Sequence, residues 1–269
     1  MNKSLKISCA SFFILAVSPL AASTHTVIEP TNIDWGMLNP ARGAASPKAF
    51  DLWGDRTKDE ATGMLVKFNK GFTSPPHIHN ISYRGVVIEG LMHNDDPGAI
   101  ESWLPVGSYW LQPAGETHIT AARGQTNLIY LEIDSGPYLV LNPDKAFDNG
   151  QRPINVDPTN LIWLTQKDAR WVDKNNAKIA YLWGDTSAAN GSFVKLPAGF
   201  KGTIESESGL GLKAVVVKGK TSYSWQQEPK VTELSPTGFF SSEGKGEHHL
   251  HTKTETLLYI NSNGEFNIE

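Results

Sequence analysis

The chain repeats itself. "KAFDLWGD" (Lys48–Asp55) returns 130 residues later as "KIAYLWGD" (Lys178–Asp185), and "GMLVKFNKGF" (Gly63–Phe72) returns at an offset of 128 as "GSFVKLPAGF" (Gly191–Phe200). Upstream, "NIDW" at Asn32 pairs with "NLIW" at Asn160, and Ala41-Arg42 pairs with Ala169-Arg170. Downstream, "NLIYLEIDSG" pairs with "TLLYINSNG". Ordered matches at a nearly constant offset mark a tandem duplication with units of about 26–145 and 155–269. The connector, "NPDKAFDNGQRPINVDP", has the Asn, Asp, Pro and Gly content of a linker. Whatever the fold, the chain has to build it twice.

Each unit reads as strands. "MLVKF", "YRGVVIEG", "SYWLQ" and "NLIYLEI" are short, rich in β-branched and aromatic residues, and bounded by Gly, Pro, Asn or Asp. Sixteen prolines and twenty-four glycines argue against long helices, and no stretch shows sustained helical periodicity. Short strands at intervals of roughly 8–12 residues imply an antiparallel sandwich or barrel in each repeat.

The first residues carry a different message. "MNKSLK" is basic, "SFFILAV" is apolar and "SPLAAS" is small, the order of a secretory signal cut near Ala22 or Ser23. The apolar run is too short to span a bilayer, so the reading is export to the periplasm or the medium with no membrane anchor. The only cysteine, Cys9, precedes the apolar run, which excludes a lipoprotein. The mature chain then has no thiol, and a metal would have to be held by His, carboxylate or Tyr. A formal net charge of −4 without a basic patch excludes nucleic acid and anionic membrane as partners.

One stretch invites a metal. In "GFTSPPHIHNISYRGVVIEG" (Gly71–Gly90), His77 and His79 are separated by one residue, so on a strand both project to the same face. Two buried imidazoles need hydrogen bonds or a metal to offset their desolvation. The pair alone leaves a hydrogen-bonded surface strand open.

The spacing goes further, and resembles the cupin superfamily. The first cupin motif runs G-x5-H-x-H-x3/4-E-x6-G, and the chain offers Gly71, His77, His79, Tyr83 and Gly90 at those intervals. The second runs G-x5-P-x-G-x2-H-x3-N, and the chain offers Gly107, Pro113, Gly115, His118 and then Ala122 in place of Asn. The resemblance covers both repeats and implies an all-β fold of two tandem jelly-roll β-barrels, a bicupin. The expected divisions are 1–23 signal peptide, 24–148 first barrel with the metal site, and 149–269 second barrel. Carried over by position, His77, His79 and His118 are the metal ligands, for one divalent transition metal among Fe, Zn, Mn, Ni and Cu. Imidazole alone does not choose between them.

Tyr83 departs from the pattern, standing where the family usually has a glutamate ligand. Three neutral imidazoles leave the charge of a divalent ion uncompensated, which favours an anionic ligand or hydroxide. Tyr83 either coordinates as phenolate or offers its hydroxyl to a bound water or substrate. Other candidates read as structural: His93 as an exposed strand histidine, Glu116 as a solvated corner residue, Tyr109, Trp110 and Tyr130 as core. Trp53 and Trp183 of the repeated "LWGD" read as fold residues. In the second repeat the same alignment replaces His77 and His79 by Glu205 and Glu207, Tyr83 by Leu212, Pro113 by Gly244 and His118 by His249, with His248 and His251 adjacent. Glu205, Glu207 and His249 are a candidate second site, and the reading preferred is a degenerate barrel without metal.

The resemblance extends to a group of bacterial bicupins of unassigned activity related to the cupins of zinc-binding anti-sigma factors. The function expected is that of an exported metal-dependent enzyme on a small anionic or enolisable molecule, by dioxygenase, lyase or isomerase chemistry. The alternative is a non-catalytic periplasmic metal- or ligand-sensing cupin. A small-molecule ligand is the expected partner, with a homodimer left open.

Overall fold

The computed structural model describes residues 23–172, 176–207 and 210–269, so the expected signal peptide, apart from Ser23, lies outside the described residues. Antiparallel strands joined by tight turns account for almost all regular structure, and the described residues contain four short 3-10 turns and no α-helix. The arrangement is that of two jelly-roll barrels. In the first repeat a seven-stranded sheet runs, edge to edge, Ile154–Val156, Tyr109–Gln112, Tyr83–Glu89, Asn127–Ile133, Thr62–Phe68, Lys48–Trp53 and Gly36–Met37. The second repeat matches it with Thr24–Ile28, Phe239–Glu243, Gly211–Lys218, Thr256–Ser262, Asn190–Leu196 and Lys178–Gly184.

The opposing layers differ. In the second barrel it is one five-stranded sheet of Thr232–Leu234, Thr221–Trp225, Gly246–Thr252, Lys201–Ser206 and Phe266–Ile268. In the first barrel the same layer is broken into Met92–Asp95 paired with Ile119–Ala122, and Ile78–His79 paired with Val140–Leu141. Isolated bridges at Thr73–Ala121 and His77–His118 hold the pieces together. The break opens a space inside the first barrel.

Three buried clusters follow from this layering. One fills the first barrel (Met64, Val66, Trp110, Ile129 among others) and one fills the second (Val194, Ile204, Phe240, Leu258). The third, with Leu65, Val86 and Tyr130 from one repeat and Phe193, Val215 and Tyr259 from the other, lies between the two large sheets. The repeated tryptophans belong here: Trp53 Nε1 donates to the Tyr130 hydroxyl at 3.0 Å and Trp183 Nε1 to Tyr259 at 2.9 Å. Both phenols then donate to the buried Glu132 carboxylate, at 3.0 and 3.2 Å. Arg84 closes the network, with Nε 3.1 Å from Glu132 and the guanidinium stacked 3.8 Å over the Trp183 ring.

Strand pairing crosses the expected 148/149 boundary. Thr24–Ile28 precedes the first barrel in sequence yet pairs with Phe239–Glu243 of the second. Ile154–Val156 precedes the second barrel yet pairs with Tyr109–Gln112 of the first. Each repeat lends its opening strand to cover an edge of its neighbour that would otherwise expose unpaired backbone groups. The boundary that follows the repeat in sequence therefore does not follow the hydrogen bonding.

Candidate metal centre

Tight turns deliver the candidate residues. Gly90 (φ +86°) and Gly115 (φ +77°) adopt the left-handed backbone that closes a turn, and a Cβ at either would strike neighbouring backbone carbonyls. After the Gly115 corner, His118 and His77 exchange backbone hydrogen bonds of 3.0 and 3.1 Å, clamping the two strands together at the site. His79 follows two residues on and pairs with Val140. His79 and His118 are 1% exposed and His77 is 8% exposed.

All three imidazoles are tethered the same way. Nδ1 of His77 donates to Pro75 O at 3.0 Å, that of His79 to Leu139 O at 2.8 Å, and that of His118 to Glu116 O at 3.1 Å. A backbone carbonyl at Nδ1 fixes the proton there and leaves the Nε2 lone pair free for a metal. One ligand atom from each ring lies within 4.8 Å of the others, the one such cluster of three among the described residues. Burial disfavours the cationic form of each: His118 is lowered to about 3, His79 well below its ordinary value, and His77 lowered as well. For His79 and His118 the neighbouring imidazoles add to the effect. Three neutral, preoriented imidazoles are the donor set that borderline divalent ions take, so the residues fit a transition metal.

Tyr83 lies beside this triad. Its hydroxyl donates to Asn94 Oδ1 at 2.7 Å and lies 3.3 Å from His118 Nε2. Asn94 also accepts from Thr120 Oγ1 at 2.8 Å and donates to Gln112 Oε1 at 2.8 Å. Burial raises the Tyr83 phenol, opposed by its polar neighbours Trp110, Thr120 and Asn94. The hydroxyl is therefore a neutral donor at physiological pH, and Asn94 engages it.

Tyr138, which motif spacing did not single out, completes the ring of aromatic groups. Its hydroxyl is 3.1 Å from His79 Nε2 and its ring stacks on His79 with centroids 4.4 Å apart. Asn80 holds the segment in place, donating from Nδ2 to Pro137 O at 2.9 Å and accepting at Oδ1 from Leu139 N at 3.0 Å. The residue follows the last strand of the motif region, and only the "GPY" turn hints at a fixed position for it.

A cavity of about 420 Å³ is lined by His77 and His79, two of the three histidines. Its walls include Val66, Phe68, Phe72, Ile129 and Leu131 together with His77, His79, Tyr83 and Tyr138, and no Asp or Glu lines it. Two candidates behave otherwise than the sequence suggested. His93 is buried, its Nδ1 donating to Ser102 O at 3.1 Å and its Nε2 without a partner, because residues 96–105 fold over the strand. Trp110 is core, as read, but also borders the cavity.

A model of the family described as a domain of unknown function, DUF4437, matches residues 26–269. The chain belongs to the DUF4437 family. No curated protein matches it in sequence. Among solved structures it is similar to a provisionally named dioxygenase of Nostoc punctiforme, with TM-score 0.66 and 15% identity over 92% of this chain and 84% of that one. It is also similar to salicylate 1,2-dioxygenase of Pseudoaminobacter salicylatoxidans in its adducts with gentisate, with TM-score 0.61 and 14% identity over 95% and 87%. A third is the protein Ylba of E. coli, with TM-score 0.62 and 11% identity over 88% and 90%. At these identities the likeness concerns the fold alone.

The second barrel of this DUF4437 chain does not gather Glu205, Glu207 and His249. Glu207 is exposed, Glu205 half-buried and paired across strands with Glu247, and His249 Nε2 lies 3.6 Å from Glu247 instead. The register explains why. Ala122 N donates to Phe72 O at 2.9 Å and Thr252 N to Phe200 O at 3.0 Å, which makes His248, not His249, the counterpart of His118. His248 pairs with Ile204, so Ile204 and Ser206 occupy the places of His77 and His79. A slip of one residue moves every side chain to the other face. His248 is fully buried, but Tyr223 Oη (3.0 Å to Nδ1) and Ser242 Oγ (3.0 Å to Nε2) engage both of its ring nitrogens.

Proposed function

We propose that the chain is an exported metal-dependent enzyme whose first barrel acts on a small anionic or enolisable molecule, through His77, His79 and His118. The observation that carries this reading is the cavity beside the triad, apolar, free of acidic side chains and large enough for a small organic molecule. A divalent ion held by three neutral imidazoles supplies Lewis acidity toward a substrate oxygen or, if it is iron, access to dioxygen chemistry.

The chain's own residues then have separable tasks. The Nδ1 tethers to Pro75, Leu139 and Glu116 hold the imidazoles in one tautomer and orientation. Burial keeps both phenols protonated: Asn94 engages the Tyr83 hydroxyl, while that of Tyr138, beside His79 Nε2, is the one placed to donate to an anionic oxygen in the cavity. The apolar walls exclude water and strengthen those bonds. The gentisate adducts of the salicylate dioxygenase support a small acid as the class of ligand and dioxygenase chemistry as one candidate reaction. The signal-like first residues support a periplasmic or secreted location.

The alternative is a sensing cupin related to the anti-sigma-factor type. The cavity argues against a sensor of the ion alone, which needs no room beside the metal, and turnover separates the enzyme from a ligand sensor. Oxygen uptake and product formation by protein loaded with iron, and separately with zinc, against β-dicarbonyls, catechols, hydroxybenzoates and thiols test the proposal. Turnover that disappears in His118→Ala is expected. Tight metal binding with no turnover across the panel would favour the sensor.

A further inference from the structure

Arg42 is the one permanently charged side chain that lines the first-barrel cavity. It sits in the 3-10 segment Pro40–Ala45, which local hydrogen bonds hold in place. Asn39 Oδ1 accepts from Ala41 N at 3.2 Å, and Asn39 N donates to Ser46 Oγ at 2.9 Å. The guanidinium lies 5.3 Å over the Phe72 ring and forms no ion pair among the described residues. A guanidinium without an ion pair keeps its fork of N–H donors for a planar bidentate acceptor.

Trp110 also borders the cavity, is 1% exposed, and sets its indole beside the Tyr83 hydroxyl. The cavity thus presents cationic and neutral donors, apolar walls and no anion. Its ligand has to bring the negative charge.

We propose that Arg42 is the specificity-determining residue of this cavity, holding the carboxylate of an apolar-bodied monocarboxylic acid while the rest of the molecule extends toward the histidines. One guanidinium matches the two oxygens and single charge of a carboxylate, and among the described residues no second cationic side chain lines the cavity to balance the further charge of a phosphoryl group. The inference rests on the first-barrel cavity being the ligand site proposed above and assigns the feature of the ligand that it selects.

The test is calorimetric titration of the metal-loaded mature protein with aromatic and aliphatic monocarboxylates (benzoate, 4-hydroxybenzoate, hexanoate), each beside its primary amide, and with inorganic phosphate. At least one acid is expected to bind about tenfold or more tightly than its amide. Arg42→Gln removes that preference while amide binding and metal content stay unchanged, and Arg42→Lys restores part of it. No binding by any acid, equal binding of acids and amides, a preference that survives Arg42→Gln, or tighter binding of phosphate overturns the proposal. The two readings separate by metal analysis of the same samples. An Arg42-dependent preference in protein that takes up no metal overturns the metal centre alone, whereas metal-loaded protein without the preference overturns the role of Arg42 alone.

Discussion

Replacing Glu132 by Gln should cost about 3 kcal/mol of stability, although the two side chains have nearly the same shape. The Glu132 carboxylate, 1% exposed, accepts from Arg84 Nε at 3.1 Å, Tyr130 Oη at 3.0 Å and Tyr259 Oη at 3.2 Å. An amide has one acceptor oxygen for these three donors. If that oxygen stays with Arg84 and Tyr259, the amide nitrogen faces Tyr130, whose oxygen already accepts from Trp53 and whose O–H is then left unpaired. An orphaned buried donor costs about 1–3 kcal/mol, and losing one partner of a buried ion pair costs about 3–5 kcal/mol when nothing replaces it. Arg84 keeps Asp134, with Nη1 2.9 Å from Oδ2, so the ion-pair loss is only partial and the total should come to about 3 kcal/mol, near the top of the first range. Asp134 itself is 72% exposed at its side chain, and Asp134→Asn should cost no more than about 1 kcal/mol. Urea unfolding of the wild type and both variants at neutral pH measures the difference. A Glu132→Gln cost below about 0.5 kcal/mol, or one no greater than that of Asp134→Asn, would refute the view that this network locks the two barrels together.

Two further outcomes follow from burial and pairing. Burial lowers His248 to about 3, so the folded state resists a proton that the unfolded chain accepts near 6.5. Stability contributed by the neutral ring is complete above about pH 6.5 and declines by up to about 1.4 kcal/mol per pH unit as pH falls toward 3; His248→Gln should flatten that decline in metal-free protein followed by urea unfolding. Deleting Thr24–Ile28, which pairs only with the second barrel, should destabilise Phe239–Glu243 rather than the barrel that follows it in sequence. Hydrogen exchange should show the loss of protection there, with little change at Tyr109–Gln112, which Ile154–Val156 covers.

The duplication made two similar all-β units legible, because every matched segment lies on a strand or the turn beside it. The clustering of three histidines was legible because the turn glycines, the Pro113-x-Gly115 corner and the alternation of a strand fix where His77, His79 and His118 point. The second-barrel candidates were misread by one residue because the first barrel carries an irregularity that a constant offset does not show. Its bridges run Thr73–Ala121 and His77–His118, a change of register between them, whereas Lys201–Ser206 pairs with Gly246–His251 without interruption. The exchange of opening strands was hidden for another reason: the two strands resemble each other, and pattern alone does not say which sheet edge a strand covers. Tyr138 and Arg42 reach the cavity from segments outside the barrel motifs, where spacing carries no information.

The metal content of the purified protein tests the central claim most directly. Elemental analysis should find about one divalent transition ion per chain. That ion should be lost in His77→Ala and in His118→Ala and kept in Glu205→Ala and His249→Ala. Two ions per chain with half the content lost on changing Glu205, or one ion that survives His118→Ala, would contradict a single centre built from the three histidines of the first barrel.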